Sequence, residues 1–283
     1  MLLGAHVSIA GGLDLAVGRG LEIGAEALQV FTKNQVQWDS APLDPDVVMR
    51  FKGGMLANEL APVSVHGSYL INLASADDDI RKKSRNALVD ELIRGNVIGA
   101  NYLILHPGSH GGDGETTGLQ RIGQGLGWCL KQAGVSRPRL LLENTAGQGR
   151  GVGHRFEQIR DLIDRVPEHW DLGVCLDTCH AFAAGYDMSE EGYDAVFEEF
   201  DRVVGLERLL AFHLNDSKTE RKSRVDRHER IGKGQVGMGF FRLLMRDPRF
   251  VGLPGYLEVP GGKTAFKADL KLLKRLRTSG GMY

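Results

Sequence analysis

The stretch LGVCLDT, residues 172–178, is a short apolar run that ends in an aspartate. Continuous apolar runs of this length, bounded by turn residues, are typical of parallel strands that are buried on both faces. Seven other segments of the chain have the same character. The eight candidate strands are LLGAHVS (2–8), ALQVFT (27–32), VSVHG (63–67), YLILHPG (102–108), LLLENT (140–145), LGVCLDT (172–178), LLAFHLND (209–216) and GYLEVP (255–260).

Stretches with helical character separate these strands, and the clearest are residues 78–99, 116–134, 189–205 and 265–277. Strands that alternate with helices imply a parallel sheet, and a count of eight favours closure into a (β/α)8 TIM barrel over an open, doubly wound sheet. No shift in composition and no long linker divides the 283 residues. We therefore predict an α/β protein with a single TIM-barrel domain over residues 1–283.

Polar residues terminate six successive strands of this predicted barrel. The carboxyl ends of barrel strands converge on one mouth, where active sites are built. The six residues are His66, His106, Glu143, Asp177, His213 and Glu258. His180 follows Asp177 by three residues, and the loop after the seventh strand adds Asp226 and His228.

These nine residues comprise five imidazoles and four carboxylates, which are ligands for zinc, manganese or iron. One such side chain at a strand end is more often structural, but four acids gathered without a cation would repel one another. Nine ligands exceed the need of one tetrahedral ion, so two or three ions with bridging carboxylates would account for the set. Such a cluster lowers the pKa of a bound water. It also binds both the attacking and the leaving oxygen when a phosphodiester is cleaved.

The remaining histidines are expected to have lesser roles. His6 ends the first strand and is expected to contact the substrate or the ligands. His110 and His154 fall in loops beyond the strands, and His169 is expected at the surface or packed on Trp170.

The three cysteines are not expected to perform thiol chemistry. Cys175 precedes Asp177 by two residues and should lie deeper inside the barrel, where a thiol acts as a small hydrophobe. Cys179 lies four residues after Cys175, which is not the spacing of a redox pair, and Cys129 falls in a predicted helix.

Composition limits the class of protein further. No apolar run is long enough to span a membrane, and the first residues lack a signal-peptide pattern. The few cysteines fit a reducing cytoplasm. With 35 basic and 36 acidic residues, the protein is not expected to bind nucleic acid through a basic surface alone.

Eight motifs along the chain resemble, in their order, the endonuclease IV family of zinc-dependent AP endonucleases. They are GAHVSIAGG, FTKNQVQW, VHGSYLINLAS, LILHPGSH, LLENTAGQG, CLDTCHAFAAGYD, HLNDSK and DRHERIGKG. The resemblance implies a TIM barrel with three zinc ions, one of them replaceable by Mn²⁺ or Fe²⁺, bound by the nine residues above. It also implies that Glu143 orients the attacking hydroxide. The reaction that it implies is cleavage of duplex DNA on the 5′ side of abasic sites during base excision repair, which leaves a 3′-hydroxyl.

The resemblance also implies that loops after the strands bend the duplex and flip out the abasic nucleotide. Tyr69 matches a family residue that inserts near the lesion, whereas Val36 stands where the family commonly has arginine and Val259 where threonine is usual. The candidate DNA contacts are Asn34, Gln35, Val36, Tyr69, Arg227 and Lys233, with Lys33 and Trp38 beside them.

A basic loop follows the seventh strand and favours phosphate contact. Its cations are Lys218, Arg221, Lys222, Arg224, Arg227, Arg230 and Lys233. Three divalent ions would also bring the formal net charge from −1 to about +5, concentrated at the mouth.

Two other functions compete with this interpretation. A metal-dependent sugar or sugar-phosphate isomerase on the same fold uses one or two metals and does not need a basic loop. A non-catalytic DNA-binding barrel would gain nothing from several metal ions. Because a closed barrel needs no partner chain, we expect a monomer.

Overall fold

Eight parallel strands form a closed barrel in the computed structural model, which describes residues 1–278. The barrel strands are β1 (Leu2–His6), β2 (Ala27–Val30), β3 (Val63–His66), β4 (Tyr102–Leu105), β5 (Arg139–Glu143), β6 (Gly173–Asp177), β7 (Leu209–His213) and β10 (Pro254–Leu257). Each strand pairs with its neighbours in chain order, and β1 pairs with β10 to close the ring. The predicted TIM barrel is therefore confirmed, and the open sheet is excluded.

Nine α-helices are present within residues 1–278. They are α1 (Leu15–Ile23), α2 (Pro45–Ala57), α3 (Asp78–Ile98), α4 (Glu115–Ala133), α5 (Phe156–Asp164), α6 (Thr178–Ala184), α7 (Tyr193–Val203), α8 (Met238–Arg246) and α9 (Gly262–Thr278). All four predicted helices exist, but the one expected at 189–205 begins only at Tyr193. Residues 189–192 form a turn instead, in which the Gly192 amide donates to the Ser189 hydroxyl at 3.1 Å.

Most strands stop earlier than predicted, at or next to the polar residues. His66, Asp177 and His213 are the last residues of their strands. Beyond β7, the chain forms a short antiparallel pair outside the barrel, between β8 (Asp216–Ser217) and β9 (His228–Glu229). This pair returns residue 228 to the barrel mouth.

A buried apolar layer fills the barrel beneath its mouth. Its members are Ala27, Ile104, Leu141, Cys175, Ala211 and Tyr256. The Tyr256 hydroxyl reaches Ser64 Oγ at 2.7 Å across the barrel. At Gly4, a Cβ would lie 2.1 Å from the Ala27 carbonyl oxygen and 3.3 Å from the Tyr256 ring, so only glycine fits there. Cys175 is buried in this layer as expected, and burial raises the pKa of its thiol to about 12.

The C-terminal helix joins the two ends of the described chain. Arg277 donates to the Met1 carbonyl at 2.7 Å and to both oxygens of Glu26 at 2.8 Å. Glu26 also accepts from the Leu3 amide at 2.9 Å, so α9, β1 and the start of β2 are connected. None of the helices in residues 1–278 has the length and apolar character needed to cross a membrane.

Candidate metal centre

The layer directly above the apolar one is polar on every strand. Side chains alternate along a strand, so the inward residue two positions after each member of the lower layer faces the mouth. The eight residues are His6, Gln29, His66, His106, Glu143, Asp177, His213 and Glu258. Seven of these eight residues are ionisable, and six of the nine predicted metal ligands belong to this layer.

All nine predicted ligands belong to overlapping sets in which the ligand atoms lie within 4.8 Å of one another. The first set is His66, His106 and Glu143. His66 Nε2 and His106 Nε2 lie 3.3 and 3.0 Å from the same oxygen, Glu143 Oε2. That oxygen is fully buried and makes no hydrogen bond of acceptable geometry, which is the environment expected where a cation binds among the three groups.

The second set, Glu143, Asp177, His213 and Glu258, shares Glu143 with the first. Glu143 presents its other oxygen, Oε1, to His213 Nδ1 at 2.8 Å. His213 Nδ1 also lies 3.5 Å from Glu258 Oε2 and 3.9 Å from Asp177 Oδ2. Glu143 thus belongs to both sets and would offer one oxygen to each.

The third set is Asp177, His180 and His228, and it shares His228 with a neighbouring set that contains Asp226. Asp226 approaches His180 Nε2 at 3.2 Å through Oδ2 and His228 Nε2 at 3.3 Å through Oδ1. The two imidazole Nε2 atoms face each other at 3.4 Å, and His228 lies 3.6 Å from Asp177 Oδ2. Asp177 is therefore common to the second and third sets.

Local structure explains how Asp177 and His180 meet. Asp177 is the N-cap of α6, and its Oδ1 accepts from the His180 amide at 2.7 Å. The Asp177 amide donates to Asn144 Oδ1 at 2.7 Å, and Asn215 Nδ2 donates to Asp177 Oδ2 at 2.7 Å. Asn144 thus holds the backbone of Asp177 and Asn215 holds its carboxylate, roles that the sequence did not indicate.

Backbone carbonyls orient two of the imidazoles. His66 Nδ1 lies 2.8 Å from the Gly67 carbonyl oxygen, and His180 Nδ1 lies 2.9 Å from that of Asn144. Since a carbonyl only accepts, each Nδ1 carries hydrogen and each Nε2 faces the site. This arrangement is common for metal-binding histidines, whose second nitrogen donates to a protein oxygen.

The electrostatics of the protein without metal are those of a buried ion network. Burial would lower the pKa of His180, but Asp177, Asp226 and Glu143 together raise that pKa well above its usual value. Burial would raise the pKa of Glu143, but His106 and His213 hold it well below its usual range. The pKa of Asp226 falls to about 2, since His180 and His228 outweigh its burial. Imidazolium charges thus take the place that divalent cations would occupy.

The predicted DNA contacts lie around the rim of the mouth. Tyr69 is 59% exposed and lines two open grooves, one of about 420 Å³ with His106 and Arg227 and one of about 680 Å³ with Asn34 and Gln35. Val36 is 66% exposed on the loop after β2. Lys233 is exposed on the loop after β9.

Some basic residues make ion pairs within the protein that the sequence did not indicate. Lys33 is buried, and its Nζ pairs with Asp90 Oδ2 at 2.7 Å, because the loop after β2 packs on α3. In the loop after β7, Arg221 pairs with Asp187 at 2.8 Å and Arg230 with Asp269 at 2.7 Å. Trp38 packs against the core.

The other histidines take the positions expected for them. His6 Nδ1 lies 2.9 Å from Glu258 Oε1, beside the ligands. The ring of His110 accepts from the Gly112 and Gly114 amides, and that of His154 lies in a separate groove. His169 is exposed and packs on Trp170, with ring centroids 4.9 Å apart.

Cys179 lies closer to the site than the sequence suggested. Its thiol forms a set with Asp226 and His228. Burial raises the pKa of the thiol to about 12, so it remains protonated near neutral pH.

The protein is a xylose isomerase-like TIM barrel with candidate ligand side chains at the carboxyl ends of its strands. The family model with that description matches residues 18–276. The probable endonuclease 4 of Chloroflexus aggregans is 46% identical over 276 residues, which are 96% of each chain. That of Geotalea daltonii is also 46% identical over 276 residues, with the same coverage. The crystal structure of endonuclease IV from Thermus thermophilus superposes with a TM-score of 0.88 at 39% identity, over 98% of both chains.

The chain belongs to the endonuclease IV family and is an enzyme of the endonuclease class. It also resembles the crystal structure of a D-tagatose 3-epimerase-like protein, with a TM-score of 0.70 at 17% identity over 99% of both chains. At that identity the likeness shows a shared fold alone.

Proposed function

We propose that this protein hydrolyses the phosphodiester bond on the 5′ side of abasic sites in duplex DNA and acts in base excision repair. Water oxygen would join the phosphorus, and the released 3′-oxygen would take a proton to leave a 3′-hydroxyl. The observation that carries the proposal is the continuous series of three ligand sets, joined through Glu143 and Asp177 at the open end of the barrel. The relatives named probable endonuclease 4 support it.

The proposed cofactor is three Zn²⁺ ions, with Mn²⁺ or Fe²⁺ as an alternative at one site. The first set would be His66, His106 and Glu143, the second Glu143, Asp177, His213 and Glu258, and the third Asp177, His180 and His228, joined by Asp226. When bound, the ions supply Lewis acidity and a nucleophilic water at neutral pH. Glu143 is the proposed catalytic residue, since its buried carboxylate lies between two sets and can orient the attacking hydroxide.

The proposed DNA contacts are the exposed rim residues. Tyr69 divides the two grooves at the mouth and can stack in the gap left by the missing base. Val36 can act as an apolar wedge. Asn34, Gln35, Arg227 and Lys233 supply hydrogen-bond donors for phosphates. The proposal includes a monomeric cytoplasmic enzyme with one domain over residues 1–283.

Incision of a labelled duplex with one abasic site tests the activity. We expect a nick on the 5′ side whose 3′ end a polymerase can extend. The activity should not need added magnesium, and it should be lost slowly when a chelator is added. Metal analysis of the active protein should give three ions per chain. Fewer than two ions would contradict the three-ion proposal, and a labelled strand that stays intact would contradict abasic cleavage.

The Glu143→Gln variant tests the catalytic role. An amide cannot bridge or orient as a carboxylate does, so incision should fall by about 10²-fold or more while circular dichroism stays unchanged. Glu198→Gln, an exposed position on α7, is the matched control and should incise at the wild-type rate. A near-wild-type rate for Glu143→Gln would remove the assigned role.

A further inference from the structure

One residue in the polar layer at the mouth is not ionisable. Gln29, on β2, is fully buried and fills the inward position between His6 on β1 and His66 on β3. A buried amide has strong hydrogen-bonding requirements, and each must be met by a neighbour. Nothing in the proposed chemistry uses this side chain directly.

The contacts of Gln29 determine which way its amide points. Its Nε2 lies 2.7 Å from Glu258 Oε1 and 3.0 Å from His6 Nδ1, and its Oε1 lies 2.8 Å from His213 Nε2. An amide nitrogen only donates, and the Glu258 carboxylate oxygen is placed to accept from it. The amide nitrogen therefore faces Glu258, and the amide oxygen faces His213. It follows that His213 Nε2 carries the hydrogen of this contact.

His213 differs in this respect from the imidazoles that backbone carbonyls orient. His66 and His180 donate through Nδ1 and direct Nε2 into the site. His213 directs Nδ1 into the site, 2.8 Å from Glu143 Oε1, and its Nε2 meets a side chain instead of a carbonyl. Gln29 thus occupies the place that a backbone oxygen takes for the other two.

We propose that Gln29 is a positioning residue that holds His213 with Nδ1 toward the second ligand set and holds Glu258 beside it. The amide oxygen fixes the ring of His213, and the amide nitrogen fixes one oxygen of Glu258, so two ligands of the same set are preorganised by one side chain. This inference rests on the proposed metal centre. Partners of this kind change metal affinity about 10- to 100-fold when they are removed.

Zinc titration of Gln29→Met against a competing chelator tests the proposal. Methionine has nearly the shape of glutamine but cannot accept from His213 or donate to Glu258. We expect one of three ions to bind about 10- to 100-fold more weakly, with the other two unchanged. Gln132→Met, exposed on α4, is the matched control and should bind all three as the wild type does.

The outcomes separate this inference from the proposed function. Fewer than two ions in the wild type would overturn the metal centre itself. Three ions in the wild type together with equal affinities in Gln29→Met, or an equal loss at all three sites, would overturn the role of Gln29 alone.

A measurement on the unsubstituted protein keeps the inference testable even where Gln29→Met does not fold. In zinc-loaded protein labelled with ¹⁵N in its imidazoles, His213 should show hydrogen on Nε2, whereas His66 and His180 should show it on Nδ1. A purely structural role for Gln29 does not predict this difference. Hydrogen on Nδ1 of His213 would overturn the inference.

Discussion

Val36 is an exposed apolar residue among the proposed lesion contacts. Its side chain stands on the loop after β2, where it contributes little to the core, and the chain has no cation at that position. A positive charge there would lie beside the path proposed for the DNA backbone. The logarithm of the affinity for DNA falls linearly with the logarithm of the salt concentration, and each phosphate contact steepens that slope by about one.

Val36→Arg is therefore expected to tighten binding to an abasic duplex and to steepen its salt dependence by about one. Fluorescence anisotropy at several salt concentrations measures both quantities. Val251→Arg is the matched control, because Val251 is 74% exposed at the opposite end of the barrel, before β10. If the two variants bind equally, position 36 does not contact the lesion.

The candidate ligands are clearest in the sequence where charge and strand position coincide. His66, Glu143 and Asp177 end apolar runs, so both the residue type and the topology indicate a ligand. Gln29 lies within an apolar run, but a neutral amide gives no indication of metal chemistry. The burial of Lys33 could not be predicted, because its acidic partners on α3 are more than fifty residues away in the sequence.

At the scale of elements, α3 holds the loop that carries the proposed lesion contacts. Lys33 Nζ pairs with Asp90 at 2.7 Å and lies 3.9 Å from Glu91, and the Thr32 hydroxyl donates to Glu91 at 2.6 Å. Arg94 donates to the Thr32 carbonyl at 2.9 Å. Burial raises the pKa of Glu91, so its carboxylate depends on these partners to remain charged.

Lys33→Met should destabilise the protein, since it leaves Glu91 buried without its cation. We expect a loss of about 3 kcal/mol in the free energy of unfolding, below the upper range for a broken buried pair because Asp90 is half exposed. Urea unfolding of the metal-loaded protein measures it. The double variant Lys33→Met/Glu91→Gln should recover part of the loss, and Lys131→Met, exposed on α4, should lose little. A recovery of zero would show that the ion pair is not the cause.

Helix prediction succeeded where length and end signals were both strong. The helices α3 and α4 are long, and each ends at a glycine in the left-handed region, Gly99 with φ 76° and Gly134 with φ 60°. The helix α6 was missed because it has only seven residues and begins directly after β6, where Asp177 is both the last strand residue and the helix cap. A side chain with two structural roles gives no separate boundary in the sequence.

At the scale of the whole molecule, the buried ion network should give the metal-free protein a distinctive pH dependence. The raised pKa values of His180 and His213 add stability that is complete below their unfolded value of 6.5 and is lost as pH rises through the folded pKa. The lowered pKa values of Glu143 and Glu258 add stability that is complete above 4.5 and is lost as pH falls. Both contributions are complete between these two pH values.

The melting temperature of metal-free protein should therefore fall as pH rises from about 6 to about 9, whereas that of zinc-loaded protein should not. Metal binding needs neutral imidazoles, so its contribution to stability increases over the same range. Thermal unfolding followed by circular dichroism, with and without chelator, measures both curves. Parallel curves would contradict the account, because the network would then contribute equally in the two states.

The architecture as a whole could be predicted from the count of strands, since eight βα units leave few alternatives to a closed barrel. The closing contact itself could not, because Leu2 and Pro254 face each other across about 250 residues and no local pattern records that register. The lower layer shows why the ring closes as it does: Gly4 leaves the space that Tyr256 fills.

That closing contact also limits when the barrel can close during synthesis of the protein. A ribosome makes β1 first and β10 last among the barrel strands, so β1 has only one neighbour until residues 254–257 have emerged. Bringing together ends that are about 250 residues apart costs roughly 2 kcal/mol more than joining strands about 35 residues apart. The nascent chain therefore keeps an open edge for most of its translation, and Glu143, Asp177 and Glu258 face one another only when the last strand is in place.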